Sequence, residues 1–81
     1  MELFNKNFDK TLKDADTLFR SHSREKDDSW KVIDIADLEK GLFKDIDEFE
    51  NARTNEDKYH ELLDIINWAL MLATRIKQES K

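Results

Sequence analysis

Four carboxylates in the second half of the chain are spaced for chemistry: Asp45 and Glu48 form one pair, Glu61 and Asp64 the other. The members of each pair stand three residues apart. On a helix they project from one face, stepped by about 4.5 Å along the axis. Four converging carboxylates repel one another and are costly to bury unpaired. A hard divalent cation removes both penalties, and Mg²⁺ prefers carboxylate oxygen while keeping waters that a phosphate-bearing substrate can replace. Asn67, one turn beyond Asp64, is placed to orient a ligand or to hydrogen-bond such a substrate. The competing reading is a wet surface, because in a chain with 19 acidic residues such spacings arise by chance on solvated helices. Asp64 and Asn67 resist that reading better than the first pair, since they interrupt the most apolar stretch of the chain, Leu62 to Ala73.

The elements that must position these groups are helical. No proline and a single glycine leave little turn punctuation, and apolar residues recur at intervals of three and four throughout. The chain therefore reads as one small all-α domain over residues 1–81, a bundle of three main helices. Phe4, Phe8, Leu12, Ala15 and Phe19 form the stripe of a first helix, about 3–21. The polar run SHSREKDDS, 21–29, reads as a loop, with Trp30, Val32 and Ile33 pinning its end to the core. Asp34 is placed to N-cap a second helix, about 35–51, whose stripe is Ile35, Leu38, Leu42, Ile46 and Phe49. Thr54 or Asn55 caps the third, about 55–78, with Arg75 and Lys77 near its negative end.

That third helix is apolar in almost every direction, more than two sister helices can cover. A homodimer with this helix at its centre is the expected completion of the bundle. If the second and third helices run antiparallel about a turn between Thr54 and Asn55, Glu48 stands opposite Glu61 and Asp45 opposite Asp64. The same register sets Gly41, the only glycine, opposite Trp68, where a missing side chain leaves room for an indole.

Composition narrows the classes further. The net charge of −5, with basic residues interspersed among acids, speaks against a nucleic-acid module, which needs a basic stripe to displace counterions. Without cysteine there is neither a disulfide nor a thiolate metal site. No run approaches the ~18 apolar residues of a membrane span, and the start MELFNKNFDK lacks the pattern of a secretory leader. A soluble cytoplasmic protein is expected.

The segments KDIDEF (44–49) and ELLDIINWALML (61–72), preceded by DSWKVIDIADLEKGL (28–42), resemble the MazG-like members of the all-α nucleoside triphosphate pyrophosphohydrolase superfamily. The superfamily motif is E-x-x-E, a spacer, then E-x-x-D. Here Asp45 stands where the first glutamate is usual, one methylene shorter, and Lys44 stands where a further glutamate is common. The resemblance covers residues 28 to 77 and implies a dimer, or a dimer of dimers, of helical bundles. It also implies Mg²⁺ held by Asp45, Glu48, Glu61 and Asp64, and hydrolysis of a (d)NTP to the monophosphate and pyrophosphate. Glu48 or Glu61 would then accept the proton of the attacking water. Lys31, Arg24 and Lys26 are candidate phosphate contacts and Trp30 and Trp68 candidate base platforms, although a solvated surface for the former and packing for the latter are the ordinary fates of such residues. His22 and His60 lack partners at zinc-ligand spacing and receive no role. The alternative from another class is a non-catalytic helical dimer that serves as a protein-interaction module.

Overall fold

A computed structural model describes residues 2–26 and 29–80, side chains 22–26 excepted, and among the described residues there are three long helices and no strand. Helix α1 spans Glu2–Lys26, α2 Ile35–Asn51 and α3 Asn55–Glu79, with a single 3₁₀ turn, Ser29–Lys31, between the first two. The expected polar loop from residue 21 is corrected: α1 continues to Lys26. Nothing between Ser21 and Lys26 breaks a helix, and Arg, Glu and Lys are good helix formers. Polarity alone does not end a helix. The sequence-based readings of His22, Arg24 and Lys26 concern side chains outside the described residues.

Local chemistry sets the other ends. Thr54, rather than Asn55, is the N-cap of α3: its Oγ1 accepts the Asp57 backbone N–H at 3.0 Å. Asp34 does occupy the N-cap position of α2, but its carboxylate makes no capping bond. Its carbonyl does the work instead, accepting from the Asp37 and Leu38 amides at 2.9 and 3.3 Å. Only Ala52 to Thr54 separate α2 from α3, so the two helices fold back as a tight antiparallel hairpin.

Helix α3 is the centre of the structure, with α2 packed along it and α1 against a second side. The core is small, as a chain of this size dictates: Ala15, Leu38, Leu63 and Leu72 are buried, joined by one polar side chain, Asn67. The stripe of α2 behaves as read, with Leu38 fully enclosed and Ile35, Leu42, Ile46 and Phe49 half-buried. The stripe of α1 does so only in its C-terminal part. Ala15 is buried and Phe19 packs edge-on against Trp30, ring centroids 5.9 Å apart, whereas Leu3, Phe4, Phe8 and Leu12 lie exposed. Val32 is likewise exposed, so of the three residues expected to pin the segment after the loop only Trp30 and Ile33 turn inward.

On α3 the face away from α2 remains uncovered. Leu62, Ala69, Ala73 and Ile76 are exposed and Ile66 half-exposed, spaced alternately four and three residues apart. This is the seam spacing of paired helices.

Candidate metal centre

The α2–α3 hairpin brings the two acidic motifs together. Asp45, Glu48 and Glu61 each offer a carboxylate oxygen, and these oxygens all lie within 4.8 Å of one another. Asp64 stands outside that triad yet close enough for its charge to act on both Asp45 and Glu61. The register expected from the turn is observed directly at Gly41, where a Cβ would come within 2.5 Å of two atoms of the Trp68 ring. Two helices locked by so short a connection have little freedom to slip, which is why acids distant in sequence face each other.

The electrostatics are those of crowded carboxylates. Glu61 titrates above the ordinary carboxylate range, first because burial disfavours its charge, then because Glu48, Asp45 and Asp64 repel it. Its Oε2 is fully buried and has no hydrogen-bond partner. Asp45 is also pushed upward, again first by burial and further by the charges of Asp64 and Glu48, against the indole of Trp68, which donates to its Oδ2 at 2.6 Å and favours the charged form. Asp14, at the α1–α3 contact, shows the reverse: the Tyr59 hydroxyl donates to it at 2.6 Å and Lys10 sits beside it, and its carboxyl is held below the usual range.

These shifts predict a pH dependence. Between the unfolded values of 3.8 and 4.5 and the raised folded values, the folded chain binds more protons at Asp45 and Glu61 than the unfolded chain does. The stability these two groups contribute is complete below the unfolded values and is lost as pH rises through the folded ones. Asp14 acts with opposite sign, its contribution being lost only as pH falls below 3.8. In a chelating buffer the melting temperature is therefore expected to rise as pH is lowered from neutrality toward 4.5. A flat or falling curve would mean that the carboxylates do not crowd.

The residues fit a hard cation. The donors are oxygen only, within reach of one shared ion, and one is a buried oxygen left unsatisfied by the protein, a costly state that a cation would relieve.

The other sequence candidates gather elsewhere. Asn67 is buried, and its Nδ2 donates to the Ala15 carbonyl of α1 at 3.0 Å while its Oδ1 has no partner. Together with Trp30, whose indole N–H is also buried and unpartnered, it lines a cleft of about 470 Å³ between α1 and α3, walled by Leu12, Phe19, Ile66 and Leu70. Lys31 is exposed, its ammonium 5.8 Å from the centre of the Trp30 ring. Trp30 is tied to the level of Arg75, roughly 16 to 21 Å along α3 from Asp64 and Glu61 at 1.5 Å per residue. His60 is exposed.

Two residues carry more than the sequence suggested. Arg75, read as a charge complementing the helix end, sends one guanidinium nitrogen to the carbonyls of Trp30 and Ile33, at 2.9 and 2.6 Å. Trp68, read as packing, also reaches Asp45. For Trp68 the signal was available in its register opposite glycine; for Arg75 there was none, because the carbonyls it binds are freed by an irregular turn.

Comparison with protein families, with curated proteins and with solved structures returned no match to this chain. What stands is a small three-helix protein with an acidic cluster, assigned to no family.

Proposed function

We propose that the chain is a Mg²⁺-dependent nucleoside triphosphate pyrophosphohydrolase, converting a (d)NTP to its monophosphate and pyrophosphate. The observation that carries this reading is the triad Asp45, Glu48 and Glu61 with a buried, unpartnered oxygen in its midst. Those residues, with Asp64 beside them, would hold the ion; when bound, Mg²⁺ supplies neutralisation of triphosphate charge and activation of water. Glu48 and Glu61 are the two candidate bases, either of which could accept the proton of the attacking water. Water adds to the α-phosphorus, the bond from that atom to the α–β bridging oxygen breaks, and pyrophosphate leaves. The α1–α3 cleft, reached at Asn67 one turn from Asp64, is of a size for the remainder of a nucleotide, with Trp30 in its lining. A panel of common (d)NTPs assayed for pyrophosphate with and without EDTA tests the proposal. Orthophosphate as the sole product, or no turnover of any nucleotide, would sink it.

The proposed assembly is a homodimer formed through the exposed α3 seam. Leu62, Ile66, Ala69, Ala73 and Ile76 suit an antiparallel copy of themselves, with the small Ala69 and Ala73 near the middle permitting close approach. Light scattering at tens of micromolar is expected to give the dimer mass for the wild type and the monomer mass for Ala69→Glu. A wild-type monomer would remove the assembly.

The exposed Leu3, Phe4 and Phe8 favour a second reading, a non-catalytic interaction module whose acids are merely solvated. Mg²⁺ titration followed by NMR separates the two. Shifts confined to the surroundings of residues 45, 48, 61 and 64 support the enzyme, and shifts spread over the acidic surface support the module.

A further inference from the structure

Helix α2 contains the only glycine of the chain, in its interior, where glycine costs roughly 1 kcal/mol relative to alanine. The space it leaves is filled by the Trp68 ring: three ring atoms lie 2.5 to 2.8 Å from where a Cβ would stand. Seated there, the indole crosses from α3 to α2 and donates its N–H to Asp45 Oδ2 at 2.6 Å, one turn along α2 from Gly41. The contact is short and charge-assisted, the kind of bond that holds a carboxylate in one orientation. Its other close neighbours, Glu48 and Asp64, are acidic and disfavour its charge.

We infer that Trp68 is a positioning residue for the cation site, and that Gly41 is there to admit it. The indole commits one oxygen of Asp45 and leaves the other to the ion, so the shorter side chain at this position is aimed rather than free to rotate. A metal-ligating carboxylate is commonly fixed by such an outer partner, and losing the partner typically weakens metal binding 10- to 100-fold. A half-buried indole N–H needs an acceptor, and here the acceptor is an acid of the triad. The inference rests on the proposed cation site, and the experiment is arranged to tell the two apart.

Mn²⁺, an oxygen-seeking ion countable by paramagnetic resonance, is titrated into the wild type, Trp68→Phe, Gly41→Ala, Asp45→Asn, Glu61→Gln and the double variant Trp68→Phe/Asp45→Asn. Trp68→Phe keeps a ring over Gly41 but removes the N–H. Gly41→Ala keeps the indole but drives it off α2, which covers the case in which the first variant folds poorly. Both are expected to bind Mn²⁺ about 10-fold more weakly or worse, with helix content unchanged by circular dichroism. In the Asp45→Asn background Trp68→Phe should cost little more, because the N–H acts through that carboxylate. The indole N–H resonance of Trp68 should also move on Mg²⁺ addition in the wild type. Wild-type affinity in Trp68→Phe while Glu61→Gln loses the ion would overturn the positioning role and leave the cation site standing. An equal loss in both backgrounds would reduce Trp68 to packing and overturn it too. No binding by the wild type at millimolar Mn²⁺ would remove the site itself, and the inference with it.

Discussion

Glu61→Gln is expected to abolish nucleotide hydrolysis and, in the absence of cation, to raise the melting temperature. The two effects share one cause. Glu61 Oε2 is buried without a partner, among the charges of Glu48, Asp45 and Asp64, so the folded apo chain carries repulsion that the unfolded chain relaxes. An amide of the same shape removes one charge from that set and leaves the packing almost untouched. It also removes a ligand and a candidate base, so turnover should fall at least about 100-fold. Added Mg²⁺ should separate the proteins in the other direction. At ten times its dissociation constant it stabilises the wild type by about 1.4 kcal/mol, a shift of about 6 to 11 °C in a domain this small, and the amide variant should lose most of that shift. Glu50→Gln, on an exposed face of α2, should keep it. An equal response to Mg²⁺ in all three proteins would return the acids to the status of a solvated surface.

The acidic centre was legible in the sequence because its geometry depends on little beyond periodicity and one short turn. Helices α2 and α3 are each strongly patterned, three residues connect them, and the register follows. Gly41 opposite Trp68 and Glu48 near Glu61 are both consequences of that register. Where periodicity falls silent, reading failed. The end of α1 lacks apolar residues and by sequence reads as loop, although a helix needs no apolar partner in order to continue once nucleated. Asp34 was placed correctly at a helix start, but whether a capping side chain closes on an amide is decided by a rotamer that sequence does not fix. Asn67 was noticed as an interruption in an apolar run. That its amide is spent on the Ala15 carbonyl of α1 depends on how α1 crosses α3, and no turn dictates that crossing. Hidden most completely were the bonds from side chains to irregular backbone, since those carbonyls become available only after the chain has turned.

Arg75 is the clearest case of that kind, and its removal should have the largest effect on stability of any change outside the apolar core. Its side chain is only 13% exposed, and its fork meets two carbonyls of the Trp30–Ile33 segment and, more peripherally, the exposed carboxylate of Glu79. The segment it holds seats Trp30 against Phe19 and closes one end of the α1–α3 cleft. Arg75→Met keeps much of the aliphatic stem but leaves both carbonyls without this donor, a loss of about 2 to 4 kcal/mol for charged hydrogen bonds in a poorly hydrated place. A chain of this length has only about 4 to 12 kcal/mol in total, so the melting temperature should drop by on the order of 10 to 30 °C. Trp30 emission should shift to the red at temperatures where the helices persist. Arg75→Lys distinguishes the placed donor from the charge. An ammonium complements the negative end of α3 as well as a guanidinium does, yet it sits one bond nearer the backbone and falls short of the place from which the single guanidinium nitrogen serves both carbonyls, so it should recover no more than about half of the loss. Lys77→Met removes an exposed charge at the same helix end and should stay within about 0.5 kcal/mol of wild type. Full recovery by lysine would restore the simple helix-end reading of Arg75, and the turn carrying Trp30 would then have to be held by its apolar contacts alone.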